Sequence, residues 1–434
     1  MSKGQKLWKK AKKIIPNGNM LLSKNPDQFL PGEWPSYFKK AKGCEVWDLD
    51  GRKYFDVSIM GIGTNILGYG NKVVDDAVKN VIKNGNMSTL NCEEEVELAK
   101  KLITMHKWAD MAKFARSGGE ANAIAIRIAR AATKKDKIAV CGYHGWHDWY
   151  LSSNLSNKKN LDNHLLPDLN IAGVPKVLAN TVLPFKYNDI AGLEKIVKKH
   201  KLAAIKMEVS RNILPNDNFL ESVRKIADQN KIVLIFDECT SGFRECYGGL
   251  HIKYGVDPDI AMFGKALGNG YAITAIIGKE KFMNAANETF ISSTFWTERI
   301  GPAAALATLL EMKKIKSWEK ISKIGNFVAT SWIKLASKHD LDISVNGLDS
   351  IKSFTFNNKH NLIYKTYITQ ELLKEGFLAN NAFYASIAHN KNILSNYIEI
   401  LDHVFKKIKS FENIKNPIEV LDGPVCETGF KRMN

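Results

Sequence analysis

The middle of this chain repeats one pattern, a short and nearly unbroken apolar run followed by a helix-like stretch. The runs are KIAVC (Lys137–Cys141), LAAIKM (Leu202–Met207), KIVLIF (Lys231–Phe236) and DIAMF (Asp259–Phe263). A strand that is apolar on both alternating faces has to be buried on both, the condition of a parallel sheet covered by crossover helices. Segments such as EANAIAIRIARAA (Glu120–Ala132) and Glu221–Asn230 supply helices between the runs. The predicted fold class is α/β, a large domain with a mainly parallel sheet.

The flanks read differently. CEVWDLDGRKYFDVS (Cys44–Ser58) predicts a β-hairpin turning at Asp50-Gly51. It has no partner sheet nearby and is expected to pack with the C-terminal part. After about residue 310, two long helical stretches flank the alternating segment SFTFNNKHN, which predicts a smaller α+β domain. The 434 residues then divide into a segment 1–60 joining the small domain, a large domain over 61–310, and a C-terminal small domain over 311–434.

Composition excludes several classes. Apolar residues make up 45% and charged residues 25%, so the chain buries a real core and is neither disordered nor collagen-like. Its six cysteines form no C-x-x-C pair, which argues against a zinc ribbon or a disulfide framework and for reduced thiols in the cytoplasm. The N-terminus, MSKGQKLWKKAKKIIPNG, lacks the apolar core of a signal peptide. No apolar run approaches the roughly 20 residues of a membrane span, so no membrane partner is expected. The formal charge of +17 comes from lysines scattered along the chain, and the Lys3–Lys13 cluster resembles no RNA-binding signature. No nucleic-acid partner is expected.

In open parallel sheets, ligands bind just beyond the carboxyl ends of the strands. Tyr143 and His144 follow the first run, Glu208 the second, Asp237 and Glu238 the third, and Gly264-Lys265 the fourth. One aromatic, two or three carboxylates and a lysine are thereby expected on one rim. Ahead of them, Ser117-Gly118-Gly119 opens a helix, where first-turn amides and the helix dipole suit a phosphate and Ser117 adds a hydroxyl. A Walker A loop is excluded, because Asp259 stands where its first glycine should be and Ala266 follows Lys265. A phosphate cradle, a stacking aromatic, a buried carboxylate and a lysine together describe a pyridoxal phosphate site. His144 and His147, spaced as HGWH, have no third ligand nearby, so no metal site is expected.

The segments SGGEANAIAIRIAR, YHGWHDW, IFDECTSGFR and FGKALGNGYAITAIIG resemble the class III (fold type I) pyridoxal phosphate enzymes, in their order and at their spacings. Glutamate-1-semialdehyde aminomutase is a near relative. The resemblance implies a two-domain fold and a homodimer with active sites shared between subunits. By matching motifs, it implies that Lys265 is the Schiff-base lysine, Asp237 the partner of the pyridine nitrogen and Tyr143 the stacking aromatic with His144 beside it. Ser117, Gly118 and Gly119 match the phosphate loop, and Thr294 the threonine that reaches the phosphate from the other subunit. Glu208 matches the carboxylate ending the preceding strand. Asn212 is matched to an asparagine near the cofactor's 3-hydroxyl, at a spacing one residue short.

The chain departs from the family's pattern on the substrate side. The phosphate loop reads Ser-Gly-Gly where Ser-Gly-Thr is usual, so Gly119 loses a hydroxyl. The stretch GNMLLSKNPDQFLPGEWPSYF has no arginine where the aminomutase grips its substrate carboxylate, and Lys24 is a poorer bidentate partner. Tyr384 stands where the aminomutase has a glutamate, and the loop SSTFWTERIGP adds Phe295, Trp296 and Arg299. The expected activity is transfer of an amino group from a small-molecule donor to a carbonyl acceptor. A sugar- or polysaccharide-related acceptor is the expectation raised by Arg299 and the aromatic pair. The alternatives are a 2,1-aminomutase and, from another class, a non-catalytic protein that keeps the fold.

Overall fold

The computed structural model describes residues 1–164, 167–210, 212–411, 414 and 416–428. The chain forms two compact units, one from Met1–Asn71 with Glu319–Asn434 and one from Lys72–Trp318. In chain order, the first unit begins with strands β1 (Phe38–Lys42), β2 (Glu45–Asp48) and β3 (Lys53–Asp56). The second contributes β4 (Met111–Ala115), β5 (Lys137–Cys141), β6 (Val182–Pro184), β7 (Leu202–Glu208), β8 (Val233–Glu238), β9 (Ile260–Phe263) and β10 (Thr274–Gly278). The first unit ends with β11 (Ile343–Asn346), β12 (Ile351–Phe356), β13 (Phe377–Leu378) and β14 (Ala382–Tyr384).

The second unit is built on one seven-stranded sheet in the order β4-β10-β9-β8-β7-β5-β6. The four apolar runs of the sequence are its adjacent strands β9, β8, β7 and β5. They run parallel with one another and with β6, while β10 is antiparallel to β9 and β4. Every residue of β7 and β8 is buried, as strands covered on both faces require. Truncating a side chain such as Ile235 in the middle of this sheet costs about 2–5 kcal/mol.

One strand boundary differs from expectation in a way that matters for the site. The third run begins at Val233, because Lys231 takes a left-handed turn at φ +53°, and it continues through Glu238. Asp237 pairs in the ladder with Glu208 on one side and Met262 on the other. The carboxylates are therefore the last rungs of rigid strands rather than loop residues.

The helix Gly118–Thr133 packs over this sheet. Ser117 caps it: its hydroxyl accepts from the Glu120 amide at 3.3 Å, while Glu120 reaches back to the Ser117 amide at 2.9 Å. Ala121, Ile124, Ala125 and Ile128 repeat at helical spacing and are buried with Ile138, Val140, Ile235 and Met262 of the strands.

In the first unit, the hairpin is β2 and β3, turning where Asp48 Oδ1 accepts from the amides of Asp50 and Arg52 and Gly51 takes φ +86°. Its missing partner is β13, which pairs in parallel with β3 through Phe377 and Phe55. A second sheet, β11-β12-β14, is antiparallel, with the alternating SFTF segment in β12. Among the described residues no helix is long and apolar enough to cross a membrane.

Candidate active site

The carboxyl end of β5 sets the first wall. Gly142 takes φ +106°, and a Cβ there would lie 2.7 Å from Glu208 Oε2, so the position requires glycine. Glu208, 7% exposed at the end of β7, accepts from the Tyr143 amide at 3.1 Å. The Gly142 amide donates to His164 Nδ1 at 2.8 Å, and its carbonyl accepts from Tyr150 at 2.9 Å. Tyr143 itself is half-buried, its ring edge-on to Tyr150 at 6.1 Å. A cavity of about 510 Å³ opens beside this wall, lined among others by Gly142, His164, Tyr187, Glu208 and Asn212.

Asp237 is the centre of charge. It is 4% exposed, and its Oδ2 lies 2.9 Å from His144 Nδ1 and 3.3 Å from Lys206 Nζ, while Oδ1 accepts from the Cys239 amide at 3.1 Å. Burial alone would raise its carboxyl. Lys206 and the His144 hydrogen bond overcome that and hold it well below the usual carboxylate range. His144 is pushed down to about 4, by burial first and then by the charge on Lys206. Its Nε2 lies 3.2 Å from the Cys141 carbonyl.

Lys265 begins the turn after β9, at φ +41°, a left-handed backbone that a lysine adopts at a cost of about 1–3 kcal/mol. Its Nζ donates to Thr240 Oγ1 at 2.6 Å. The Thr240 carbonyl in turn accepts from Arg244 Nε at 2.6 Å. Cys239 ties this corner to the helix start, since a Cβ on Gly118 would sit 3.7 Å, and one on Gly264 3.4 Å, from its sulfur. Burial holds the Cys239 thiol well above its ordinary value, so it is no nucleophile here.

The expected residues Ser117, Gly118, Gly119, Tyr143, His144, Glu208, Asp237 and Lys265 are thus linked by a continuous set of contacts, and Asn212 borders the same cavity. Two readings need correction, the place of Glu238 and the availability of Arg299. Glu238 does not face the rim: strand alternation turns it to the opposite side of β8, where it accepts from Ser241, from the amides of Leu250 and His251, and from His251 Nδ1. The Ser117 hydroxyl is engaged in the helix cap and donates to Glu120 at 3.1 Å. Thr294 stands exposed in a short helical turn, its carbonyl accepting from the Thr297 hydroxyl at 2.8 Å. Arg299 is no free cation: its guanidinium grips Glu94 at 2.6–3.2 Å and bonds the Gly85 carbonyl. Trp296 is likewise engaged, donating to Glu120 at 3.1 Å, while Phe295 is 70% exposed. Tyr384 lies in the other unit, paired with Ile351.

The sequence reading also passed over Lys206 and Thr240. Lys206 carried a visible signal, a charged residue inside an apolar run and two residues before Glu208, hence on the same face of the strand.

These groups fit pyridoxal phosphate. A carboxylate has about four acceptor sites, and with Lys206, His144 and the Cys239 amide engaged, Asp237 keeps capacity for one more donor, such as a ring N–H. The first-turn amides of Gly118 and Gly119 have no partner within their helix and suit a phosphate. Lys265 supplies the amine. Among the described residues no group of three His, Cys, Asp or Glu side chains is placed to hold a metal ion.

Comparison with known proteins agrees with this geometry. The family model "Aminotransferase class-III" matches residues 31–391. The 3-aminobutyryl-CoA aminotransferase of Cloacimonas acidaminovorans is 34% identical over 383 residues, covering 85% of this chain and 87% of that protein. The glutamate-1-semialdehyde 2,1-aminomutase of Nitrosopumilus maritimus is 33% identical over 432 residues, covering 93% and 99%. Among solved structures, the PLP internal aldimine form of the FumI protein of Sphingopyxis sp. MTA144 superposes with a TM-score of 0.86 at 25% identity, covering 96% of this chain and 99% of that one.

Proposed function

The chain belongs to the class III aminotransferases and uses pyridoxal phosphate, and from that premise we propose the roles of its residues. The convergence of His144, Asp237 and the Thr240–Lys265 pair at the ends of β5, β8 and β9 carries the reading. The bound cofactor supplies an aldehyde carbon that takes up an amino group and a ring that accepts electron density. Asp237 would face the ring nitrogen and accept from it when it is protonated, and His144 fixes the carboxylate's orientation. The Gly118 and Gly119 amides would hold the phosphate, and Tyr143 would cover one face of the ring. Lys265 Nζ, oriented by Thr240 Oγ1, would take the proton from the substrate carbon and hold it for return.

The reaction we propose is transfer of an amino group between a small-molecule donor and a carbonyl acceptor. The class of donor is open to a 3-amino acyl-CoA, the amine for which the Cloacimonas relative is named. An anionic sugar acceptor loses the cation that suggested it, since Arg299 is held by Glu94. The second reading is a 2,1-aminomutase, favoured by the 33% identity to the Nitrosopumilus enzyme along nearly its full length. Exposed Thr294 and Phe295 support a homodimer in which each subunit completes its partner's phosphate site.

Purified protein should take up pyridoxal phosphate with the visible absorbance of a lysine-bound cofactor, and Lys265→Ala should abolish that signal. Steady consumption of an external amino donor together with an oxo acceptor supports transamination. Turnover of an amino aldehyde alone, with no second substrate, would establish the aminomutase instead.

A further inference from the structure

Lys206 has no part in the chemistry just described, yet it sits at its centre. It projects from β7, a strand in which every residue is buried, and its side chain is fully enclosed. Its Nζ lies 3.3 Å from Asp237 Oδ2 and 3.5 Å from Met262 Sδ. An ammonium in such a place is tolerated only when paired, and its partner is the carboxylate that would face the cofactor ring.

The groups facing Asp237 are few. His144 meets the same oxygen from the turn after β5, the Cys239 amide meets the other from beyond β8, and Lys206 comes from β7. His164 bears electrostatically on His144, and Lys265 on Cys239. His144 is kept neutral by its burial and by Lys206, which leaves Lys206 as the cation paired directly with the carboxylate. A carboxylate whose charge is already balanced attracts a second cation less strongly.

We propose that Lys206 is the counter-ion of Asp237 and that it lowers the proton affinity of the pyridine nitrogen that carboxylate would face. It thereby sets how strongly the bound ring withdraws electrons. The inference rests on the reading of this site as one for pyridoxal phosphate. Lys206 is a positioning residue, acting through Asp237. A unit charge within about 6–8 Å, at an effective dielectric of about 20, changes a proton equilibrium by roughly 30- to 100-fold.

The test is nitrogen-15 NMR of holoprotein reconstituted with ring-labelled pyridoxal phosphate, followed against pH in wild type and in Lys206→Met. At a given pH, the ratio of protonated to neutral ring nitrogen should rise roughly 30- to 100-fold in the variant. Coincident titrations, or a proton that moves to labelled His144 while the ring is unchanged, would overturn the proposal. If Lys206→Met does not fold, Lys206→Gln takes its place, and the wild type alone remains decisive. Its ring nitrogen should titrate within the protein's range of stability, and one protonated to the alkaline limit refutes the idea. Wild type that takes up no pyridoxal phosphate overturns the reading of the site and this inference with it. A bound cofactor indifferent to Lys206 overturns this inference alone.

Discussion

Lys265 Nζ and Thr240 Oγ1 are 2.6 Å apart, so the amine assigned to proton transfer is held by a hydroxyl from the turn that follows β8. Thr240 is itself fixed, its carbonyl accepting from the buried Arg244. Replacing Thr240 with valine keeps the shape and removes the hydroxyl. We expect kcat to fall about tenfold, the worth of one hydrogen bond to a charged group, with KM little changed. Thr240→Ser should restore most of the rate, and steady-state kinetics of the three proteins decides the point.

Gly119 and His147 occupy one another's space. A Cβ on Gly119 would lie 2.5 Å from His147 Cε1 and 2.7 Å from Nδ1, so the ring stands where the family's usual threonine would project. Gly119→Thr should not strengthen phosphate binding by restoring the hydroxyl; it should destabilise the protein by about 1–3 kcal/mol through overpacking. In the background of His147→Ala the same substitution should cost much less. A double-mutant cycle of urea unfolding measures the coupling.

Arg299 and Glu94 form a forked ion pair that fastens the loop before the Ile300–Ile315 helix to the Glu93–Met105 helix. Arg299→Lys loses the fork geometry. It should lower Tm while leaving KM for donor and acceptor within about twofold. A large rise in either KM would show that the guanidinium serves a substrate instead.

His106 and His144 are both pushed down to about 4, chiefly by burial. In the unfolded chain they protonate near pH 6.5, whereas the folded protein refuses the proton until about pH 4. Their contribution to stability is therefore intact above about pH 6.5 and is lost as pH falls toward 4, by up to about 3 kcal/mol for each. Asp237, held below the usual carboxylate range, acts in the same direction at still lower pH. Urea midpoints measured between about pH 7 and 4.5 should fall steadily. His106→Asn should flatten that slope, whatever it does to stability at neutral pH.

Much of the site was written in local order. Strand burial, the Ser117 cap with Glu120 and the lysine after the last parallel strand depend on residues within a few positions of one another. The periodicities of helix and strand make such patterns legible. The family motifs then located Asp237, Tyr143, Glu208 and Lys265. The edge strands β4 and β6 were not read, because β4 is half-buried and β6 is only three residues ending in proline.

What the sequence determined by itself is the sheet of buried strands and the set of groups at their carboxyl ends. The pairings that give those groups their properties were decided only by the tertiary structure. Arg299 is 205 residues from Glu94, Trp296 is 176 from Glu120, and Lys206 is 31 from Asp237. In each case a polar group that looked available or unremarkable along the chain is claimed by a partner that strand order and helix packing bring beside it. Parity along β7 places Lys206 on the face of Glu208. Only the pairing of β7 with β8, in the register that sets Glu208 against Asp237, turns that lysine into a buried counter-ion.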